Sequence, residues 1–349
     1  MAQTTPESTP ALKTQQLVTD VLATIDRERE REIVARRFGL FDRKETLEQI
    51  GEMLGITRER VRQLEKAVVT RLSSTAEKGS LPHIADFEAT VLGLLEDSGS
   101  VARVSQLTAQ LSDSPDREEQ ARVAFLSQLS PQLTVIQEDD NFYGSVGIKS
   151  AYDDKALKAR VAGLIDTIKQ IGEPQTIDQI AKAAGIASSA EAASLASTSK
   201  HLATLNGRWG LIKWPMVNPK NIRDKIYVIL KENGKHMHFN EIADAIKDSD
   251  FKRKDVTTQA IHNELIKDKR FVLIGRGIYA LKEWGYEKGT VADIISEVLR
   301  DAKEPLHRDE IVKRVLKSRF VKETTILLNL QGKPQFKRVA KATYALDEA

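Results

Sequence analysis

The chain has 349 residues, of which 41% are hydrophobic and 30% charged, a composition typical of folded domains rather than of a disordered chain. It contains no cysteine, which excludes disulfides and thiolate metal sites and suits a reducing cytoplasm. We found no signal-peptide core and no apolar run near the ~18 residues of a membrane span, so we expect a cytoplasmic protein of two or more domains.

The formal net charge is only +3, but the charges are unevenly distributed. Residues 82–148 hold 3 Lys and Arg against 11 Asp and Glu, whereas residues 27–72 hold 12 against 9. Because phosphate contacts dominate DNA affinity, the acidic segment is a poor candidate for DNA binding. It suits a spacer or a protein-contact module better.

In chain order, residues 1–12 are small, polar and proline-containing, which predicts a disordered tail. The first folded domain is expected over residues 13–73. Its charged run, Arg27 to Glu32, is interpreted as the solvated start of a helix that turns Ile33, Val34 and Phe38 inward.

The stretch from Thr46 to Leu72 predicts a helix-turn-helix. Leu47, Ile50 and Leu54 recur at helical spacing. Thr46 suits the N-cap of that helix, and Gly55 supplies the positive φ that a tight turn requires. Thr57 then caps a second helix, whose inward residues are Val61, Leu64, Val68 and Leu72.

The outward face of the second helix carries side chains that can read base edges. Successive residues placed 100° apart put Glu59, Arg62, Gln63, Lys66 and Thr70 on that face, with Arg58 at the helix start. Arg and Gln are the donors that recognise bases in the major groove, which favours DNA binding. The alternative is an ordinary solvated face of a surface helix.

The run from Glu28 to Leu72 resembles region four of the bacterial sigma-70 family, which reads the promoter −35 element. Arg37-Phe38-Gly39-Leu40 and the sequence TLEQIGEMLGITRERVRQLEK carry the resemblance. It implies DNA contacts by Arg58, Glu59, Arg60, Arg62 and Gln63. The helical spacing does not place Arg60 on the outward face, so Arg60 suits a phosphate contact better.

A linker is expected over residues 73–83, followed by four similar segments at 82–148, 149–219, 220–285 and 286–349. Each begins with an apolar helix. A second helix then opens on a recurring motif that starts with a residue suited to capping: Ser105-Gln106-Leu107, Asp178-Gln179-Ile180, Asn240-Glu241-Ile242 and Asp309-Glu310-Ile311.

Each segment ends in two β-favouring runs that read as a hairpin, with Tyr143, Trp209, Tyr279 and Tyr344 at what we interpret as one matching position. The aromatic either plugs the core under the hairpin or stacks on a base, and its spacing favours the core. The predicted fold class is therefore mainly α: an N-terminal helix-turn-helix followed by tandem winged-helix domains with small β-hairpins.

The third segment, 220–285, resembles the HARE-HTH family of winged helices, which includes the N-terminal domain of the RNA polymerase delta subunit. Phe271-Val272, Gly275-Arg276-Gly277, Tyr279-Ala280-Leu281 and Trp284-Gly285 carry this resemblance. The fourth segment keeps Thr343-Tyr344-Ala345-Leu346 but lacks the Gly-Arg-Gly hairpin, so it is a degenerate relative.

Basic residues of the third segment either add phosphate contacts or form ordinary lysine-rich surface, with acidic residues interrupting them. They lie before its predicted third helix and beside its hairpin: Lys252, Arg253, Lys254, Lys269, Arg270 and Arg276.

No phosphate loop, nucleophile elbow or HExxH motif is present. The six histidines lack metal-ligand partners in sequence, and a structural role is favoured for His236 and His238. We expect no catalytic residue, cofactor or metal, and no enzymatic activity.

These patterns predict a DNA-binding, nucleoid-associated transcription protein that reads promoter-like double-stranded DNA through Arg58, Glu59, Arg60, Arg62, Gln63 and Lys66. RNA polymerase core is an expected partner and a membrane is not. Only about 27 residues precede the sigma-like segment and no strand-opening helix follows, so a complete sigma factor is not expected. The alternative is a protein-interaction scaffold or delta-like polymerase subunit without sequence-specific reading. A restriction-linked role is weaker, since no nuclease motif is present.

Overall fold

The computed structural model describes residues 13–251, 253, 255–286 and 288–347. The predicted tail at 1–12 lies outside the described residues. The chain divides into two compact units, the first ending at Ile212 and the second beginning at Lys213. It is mainly helical, and none of its described helices is both long and apolar enough to cross a bilayer.

Four helices open the first unit: α1 (Thr14–Ala23), α2 (Glu28–Phe38), α3 (Leu47–Leu54) and α4 (Arg58–Glu77). The last of them corrects the predicted linker, because Ser73 to Glu77 form the end of α4. Val68, Leu72 and Ala76 continue one buried stripe at helical spacing, and no Gly or Pro interrupts the helix before Gly79. Small polar residues in this stretch therefore belong to a packed helix.

After α4 the same order of elements occurs four times: a helix, a short strand, two helices and a two-stranded hairpin. The first repeat comprises α5 (Ile84–Ser98), β1 (Val101–Arg103), α6 (Val104–Leu111), α7 (Arg117–Leu129), β2 (Leu133–Ile136) and β3 (Ser145–Ile148). The second comprises α8 (Asp154–Ile171), β4 (Gln175–Thr176), α9 (Ile177–Ala184), α10 (Ser189–Thr198), β5 (Leu202–Leu205) and β6 (Arg208–Leu211).

The other two repeats lie in the second unit. The third comprises α11 (Ile222–Asn233), β7 (Met237–His238), α12 (Phe239–Asp248), α13 (Thr258–Lys267), β8 (Phe271–Gly275) and β9 (Ile278–Leu281). The fourth comprises α14 (Val291–Ala302), β10 (Leu306–His307), α15 (Arg308–Ser318), α16 (Glu323–Gly332), β11 (Phe336–Ala340) and β12 (Thr343–Leu346). In every repeat the last strand lies between the other two and is antiparallel to both.

The second helix of each repeat begins two residues earlier than its motif suggested. The N-cap residues are Arg103, Thr176, His238 and His307, not Ser105, Asp178, Asn240 and Asp309. In the first three repeats the backbone N–H of the cap donates to the side chain three residues later, Gln106, Gln179 or Glu241. In these three repeats the second residue of the motif closes the helix start, and in all four the third residue is buried.

The strand register corrects the matching of the four aromatics. Trp209, Tyr279 and Tyr344 each pair with the residue before the N-cap of their repeat. In the first repeat that place belongs to Val146, which pairs with Ala102. Tyr143 precedes β3, and the Arg103 guanidinium lies 3.8 Å from its ring centroid. Tyr279 and Tyr344 are buried, as the core interpretation expects, while Trp209 is partly exposed.

The N-terminal helices share one hydrophobic core with the first repeat. Val34, Leu40 and Leu72 belong to the same buried cluster as Phe125 on α7, whose ring centroid lies 4.9 Å from that of Phe38. This contact joins residues far apart in sequence. The helix-turn-helix is therefore packed against the first repeat over a continuous apolar surface.

A buried polar cluster crosses the same interface. The Arg122 guanidinium donates to the Leu40 carbonyl oxygen at 2.7 Å and to the Glu119 carboxylate at 2.9 Å. The Thr14 hydroxyl also donates to Glu119, at 2.5 Å. All three side chains are buried, so their hydrogen bonds are costly to lose and fix α1 and the end of α2 onto α7.

The second repeat is joined to the first through α10. The Arg103 side chain donates to the Ser197 carbonyl oxygen, and the Tyr143 N–H donates to the Thr198 carbonyl oxygen at 2.8 Å. Leu195 and Ala196 on α10 are fully buried. A Cβ at Gly99 would lie 2.6 Å from the Glu191 Cα, so only glycine permits this approach. The helix α10 is thus an internal contact surface.

Candidate nucleic-acid interface

Local hydrogen bonds fix the turn between α3 and α4. The Thr46 hydroxyl accepts from the Gln49 N–H at 3.2 Å, and the Gln49 side chain accepts from the Thr46 N–H at 2.9 Å. Gly55 has φ +66°, and the Thr57 hydroxyl accepts from the Arg60 N–H at 3.2 Å. The predicted caps and turn of this stretch are confirmed.

A small core sets the orientation of α4. Ile33, Ile50 and Val61 are fully buried against one another, with Leu54 and Leu64 packed around them. Since α2, α3 and α4 all contribute to this cluster, the N-terminal half of α4 cannot rotate about its axis without opening it. The polar residues on the far side of α4 are therefore held outward.

The charged run at the start of α2 is less solvated than its composition predicts. The Glu30 side chain is buried and accepts from Arg71 on α4 at 2.8 Å and from Arg27 at 3.3 Å. The hydrogen bond from Arg71 holds the pKa of Glu30 below its ordinary value, despite the opposing effect of burial. Glu30 thus ties α2 to the middle of α4.

All six residues predicted to bind DNA lie exposed on the first three turns of α4: Arg58, Glu59, Arg60, Arg62, Gln63 and Lys66. They are close in space because they belong to one helix face and its edge. The C-terminal half of the helix, from Val68 onward, is buried against the first repeat on its apolar side. Within the first unit, the N-terminal half of α4 presents its polar face to solvent.

Several of these side chains are hydrogen-bonded to one another. Arg62 donates two bonds to the Glu59 carboxylate, at 2.9 and 2.7 Å, and Gln63 donates to Glu59 at 3.4 Å. The bond from Arg62 lowers the pKa of Glu59, and the same pair raises the pKa of Arg62. Arg58 pairs with Glu48 of α3 at 2.8 Å.

These pairs are solvent-exposed and therefore weak. The side chains of Arg62 and Glu59 each retain 54% of their accessible surface, and solvent screening leaves such exposed ion pairs with little effect on stability. A ligand that offers better acceptors can displace them at little cost. Arg62 can then donate bidentately to guanine, Gln63 can bond adenine, and Glu59 can accept from the cytosine amino group.

The sequence predicted a second helix near Asp178 in the second repeat, but the likeness of this helix and its turn to α3 and the turn after it was missed. Thr176 to Ile180 repeats the pattern of Thr46 to Ile50, and Gly185 has the same φ, +66°, as Gly55. The recurring Thr-x-x-Gln-Ile, followed five residues after its Ile by Gly-Ile, was the available signal. The helix after this turn, α10, carries Ser and Ala and packs on the first repeat, so α10 has no base-reading face.

The basic residues of the third repeat are only partly described, since Lys252 and Lys254 lie outside the described residues. Arg270 forms ion pairs with Asp268 at 2.8 Å and Asp224 at 3.2 Å, and the bond to Asp268 raises its pKa. Arg270 is therefore held by carboxylates, whereas Arg276 is exposed at the hairpin tip.

The two clustered histidines have structural contacts. The His238 Nδ1 accepts from the Asn240 N–H at 3.3 Å at the start of α12, and the His236 ring lies 4.5 Å from that of Phe320. Across the described ranges, His, Asp and Glu residues form no group of three that could hold a metal ion.

Comparison with known proteins identifies the N-terminal segment. The family model of sigma-70, region 4 matches residues 27–74. The chain is 43% identical over 54 residues to RNA polymerase sigma factor sigB of Arabidopsis thaliana, and 48% identical over 54 residues to RNA polymerase sigma factor SigA of a Bacillus species. It is 49% identical over 49 residues to RNA polymerase sigma factor RpoD of Helicobacter pylori.

These matches are short. They cover 14–15% of this chain and only 7–14% of each of these sigma factors. Residues 27–74 are thus a sigma-70 region 4 segment, and the remainder of the chain lies outside the matched range.

Proposed function

We propose that this chain is a DNA-binding transcription protein that recognises promoter −35-like DNA through α4. The observation that carries the proposal is the exposed face of Arg58, Glu59, Arg62 and Gln63, at the N-terminal end of a helix whose orientation a buried core fixes. Base-reading helices present such side chains from their first turns. The match of residues 27–74 to sigma-70 region 4 supports a DNA-binding or polymerase-related role.

In this proposal the remaining two basic residues bind the DNA backbone. Arg60 lies at the edge of the reading face, and Lys66 lies one turn beyond Arg62. Lys and Arg contacts to phosphate position a protein on the duplex but carry no direct sequence information. The two classes of contact can therefore be separated by mutation.

We further propose that the four repeats are winged-helix modules and that the protein is not an enzyme. The support is their order of helix, strand, helix, helix and hairpin, with the last strand central in each sheet. The third repeat would be the HARE-HTH-like module. RNA polymerase core is the proposed protein partner, since the relatives named above are RNA polymerase sigma factors.

The shared core constrains how a partner could bind. The apolar side of α2 and of the C-terminal half of α4 is covered by α7 of the first repeat. A protein that grips this side would have to displace residues 84–148. The face of α4 that reads DNA is not affected by this contact.

Selection from a random pool of duplex DNA tests the proposal. The full chain is expected to enrich one sequence motif. The Arg62→Ala variant is expected to enrich a motif that has lost its preference at one base pair. The same selection with RNA polymerase core present separates direct reading from recruitment. Enrichment of no motif in either selection would contradict sequence recognition by this protein.

A second candidate function is a protein-interaction scaffold or delta-like polymerase subunit without sequence reading. The exposed apolar side chains of the second unit favour it, since large hydrophobic residues in contact with water often mark protein-binding surfaces. In that case DNA binding would be weak and equal for every duplex, and enrichment would require polymerase.

A further inference from the structure

The hairpin of the fourth repeat, formed by β11 and β12, carries cations where the hairpin of the third repeat is apolar. The two hairpins share one strand register, with a register shift at the same position of each. In this register Val272 and Leu273 of the third repeat correspond to Lys337 and Arg338 of the fourth. Val272 is fully buried, whereas Lys337 and Arg338 are exposed.

The outer edges of the two hairpins differ as well. On β8 the Ile274 carbonyl oxygen accepts from the Phe320 N–H of the fourth repeat at 3.1 Å. A Cβ at Gly275 would lie 2.8 Å from the Phe320 carbonyl oxygen, so this approach requires glycine. The corresponding residue of the fourth hairpin is Ala340. Its methyl group would obstruct the same contact, so the edge of β11 is not shaped to receive protein in this way.

The cations of the fourth hairpin surround its free end. Arg338 pairs with the buried Tyr344, so it starts from the face of the sheet that is turned to the core. Lys337, the preceding residue of β11, starts from the opposite face, because successive strand residues alternate. Lys341 lies in the turn between the two strands. All three side chains are exposed, and they are distributed over both faces and the tip.

Two carboxylates lie near this hairpin, and both already have partners. Asp347 lies 3.9 Å from the Lys337 ammonium. Asp309 pairs with Arg308 at 3.2 Å, and the Arg308 N–H donates to a carbonyl oxygen of the turn at 2.8 Å. Both pairs are exposed and therefore weak. Within the described ranges the other two cations of the hairpin form no ion pair, so the hairpin keeps an excess of positive charge.

The arrangement of these cations decides between three explanations. Charges on an edge strand can serve to block pairing with another sheet, but this does not account for Lys341, which lies in the turn. A flat anionic partner would meet the cations of one face only. The major groove of a duplex, about 12 Å wide, admits a two-stranded ribbon and has phosphates along both sides. A groove between two phosphate strands therefore fits cations on both faces.

We propose that the hairpin of the fourth repeat is a second DNA contact of this protein. It enters a groove of the duplex and binds phosphates on both sides through Lys337, Arg338 and Lys341. Such contacts add affinity without reading sequence. The inference rests on the proposed function only in taking duplex DNA as the ligand, and it does not depend on base reading by α4.

Binding of the full chain to a duplex of arbitrary sequence, measured over a range of salt concentrations, tests this proposal. Arg338→Gln and Lys341→Gln should each lower the slope of log affinity against log salt by about one, and the double variant by about two. Both sites are exposed, so thermal unfolding should be unchanged. Lys169→Gln is the matched control, because Lys169 is an exposed lysine of α8 that pairs with Asp166 and should leave the slope unchanged.

The outcomes separate this proposal from the proposed function. A double variant that keeps the wild-type slope overturns the proposal, and so does one that binds DNA as the wild type does but self-associates in sedimentation, since the cations would then guard the edge of β11. Loss of preference for a selected duplex in the double variant would overturn contact with phosphate alone. A wild type without sequence preference, whose slope still falls in the double variant, would contradict the proposed function and support this contact.

Discussion

The stability of the helix-turn-helix is predicted to depend on a residue outside it, Phe125. Its side chain is fully buried on α7, and its ring packs on Phe38 of α2 at 4.9 Å. Truncation of a buried Phe to Ala costs about 3–5 kcal/mol. An aromatic pair contributes about 0.5–1.5 kcal/mol, and part of this is lost as well. For Phe125→Ala we expect a loss of about 4 kcal/mol, which raises the open population by nearly three orders of magnitude.

Hydrogen exchange of the backbone amides locates this loss. We expect α2 and the C-terminal half of α4 to lose protection together with α7, because all three share one core. Phe336→Ala is the control, since Phe336 is buried in the separate core of the fourth repeat. The reasoning is refuted if Phe125→Ala deprotects residues 84–148 and leaves α2 and α4 at wild-type protection.

Two further predictions concern backbone space and ionisation. Gly51→Ala should destabilise the first unit by about 1–3 kcal/mol and weaken DNA binding, because its Cβ would lie 2.7 Å from the Ile56 carbonyl oxygen. Gly93→Ala, in open space on α5, should instead stabilise by about 0.5–1 kcal/mol, and thermal unfolding of both variants would show the contrast. Burial, with the hydrogen bond to Glu191, raises the pKa of Tyr152 to about 12. The neutral phenol therefore stabilises the fold fully below pH 10, and this stabilisation is lost as the pH rises through 12. The measurement is the phenol titration of the wild type minus that of Tyr152→Phe. A difference curve centred near pH 10 would contradict this prediction.

Local features of the site were predictable from sequence because they depend on residues a few positions apart. The capping box at Thr46, the turn at Gly55 and the outward face of α4 follow from helical spacing and side-chain chemistry alone. The three helices and the hairpin of each repeat also followed, since each apolar run and turn signal is short-range, but the short strand between the first two helices did not.

What the sequence did not reveal depends on contacts between distant residues. Ser73 to Glu77 have the composition of a linker, but they form the end of α4. Ala76 extends the apolar stripe of α4, and this stripe is buried only when the first repeat packs against it. Nothing near Glu30 indicates that Arg71 will pair with it. The internal role of α10 is likewise set by a surface that lies about ninety residues earlier in the chain.

The claim that α4 reads sequence is tested most directly by comparing Arg62→Ala with Arg60→Ala. The measurement is the affinity ratio between a selected duplex and the same duplex with one base pair changed, over a range of salt concentrations. Arg62→Ala should cost about 1–3 kcal/mol on the selected duplex and reduce the ratio for one base pair.

Arg60→Ala, two residues away on the same helix, should weaken both duplexes equally and lower the salt slope by about one. A selected duplex that wild type and Arg62→Ala bind with the same affinity ratio at every base pair would contradict the account. The predicted result is that the affinity ratio falls to near one at a single base pair in Arg62→Ala and is unchanged in Arg60→Ala.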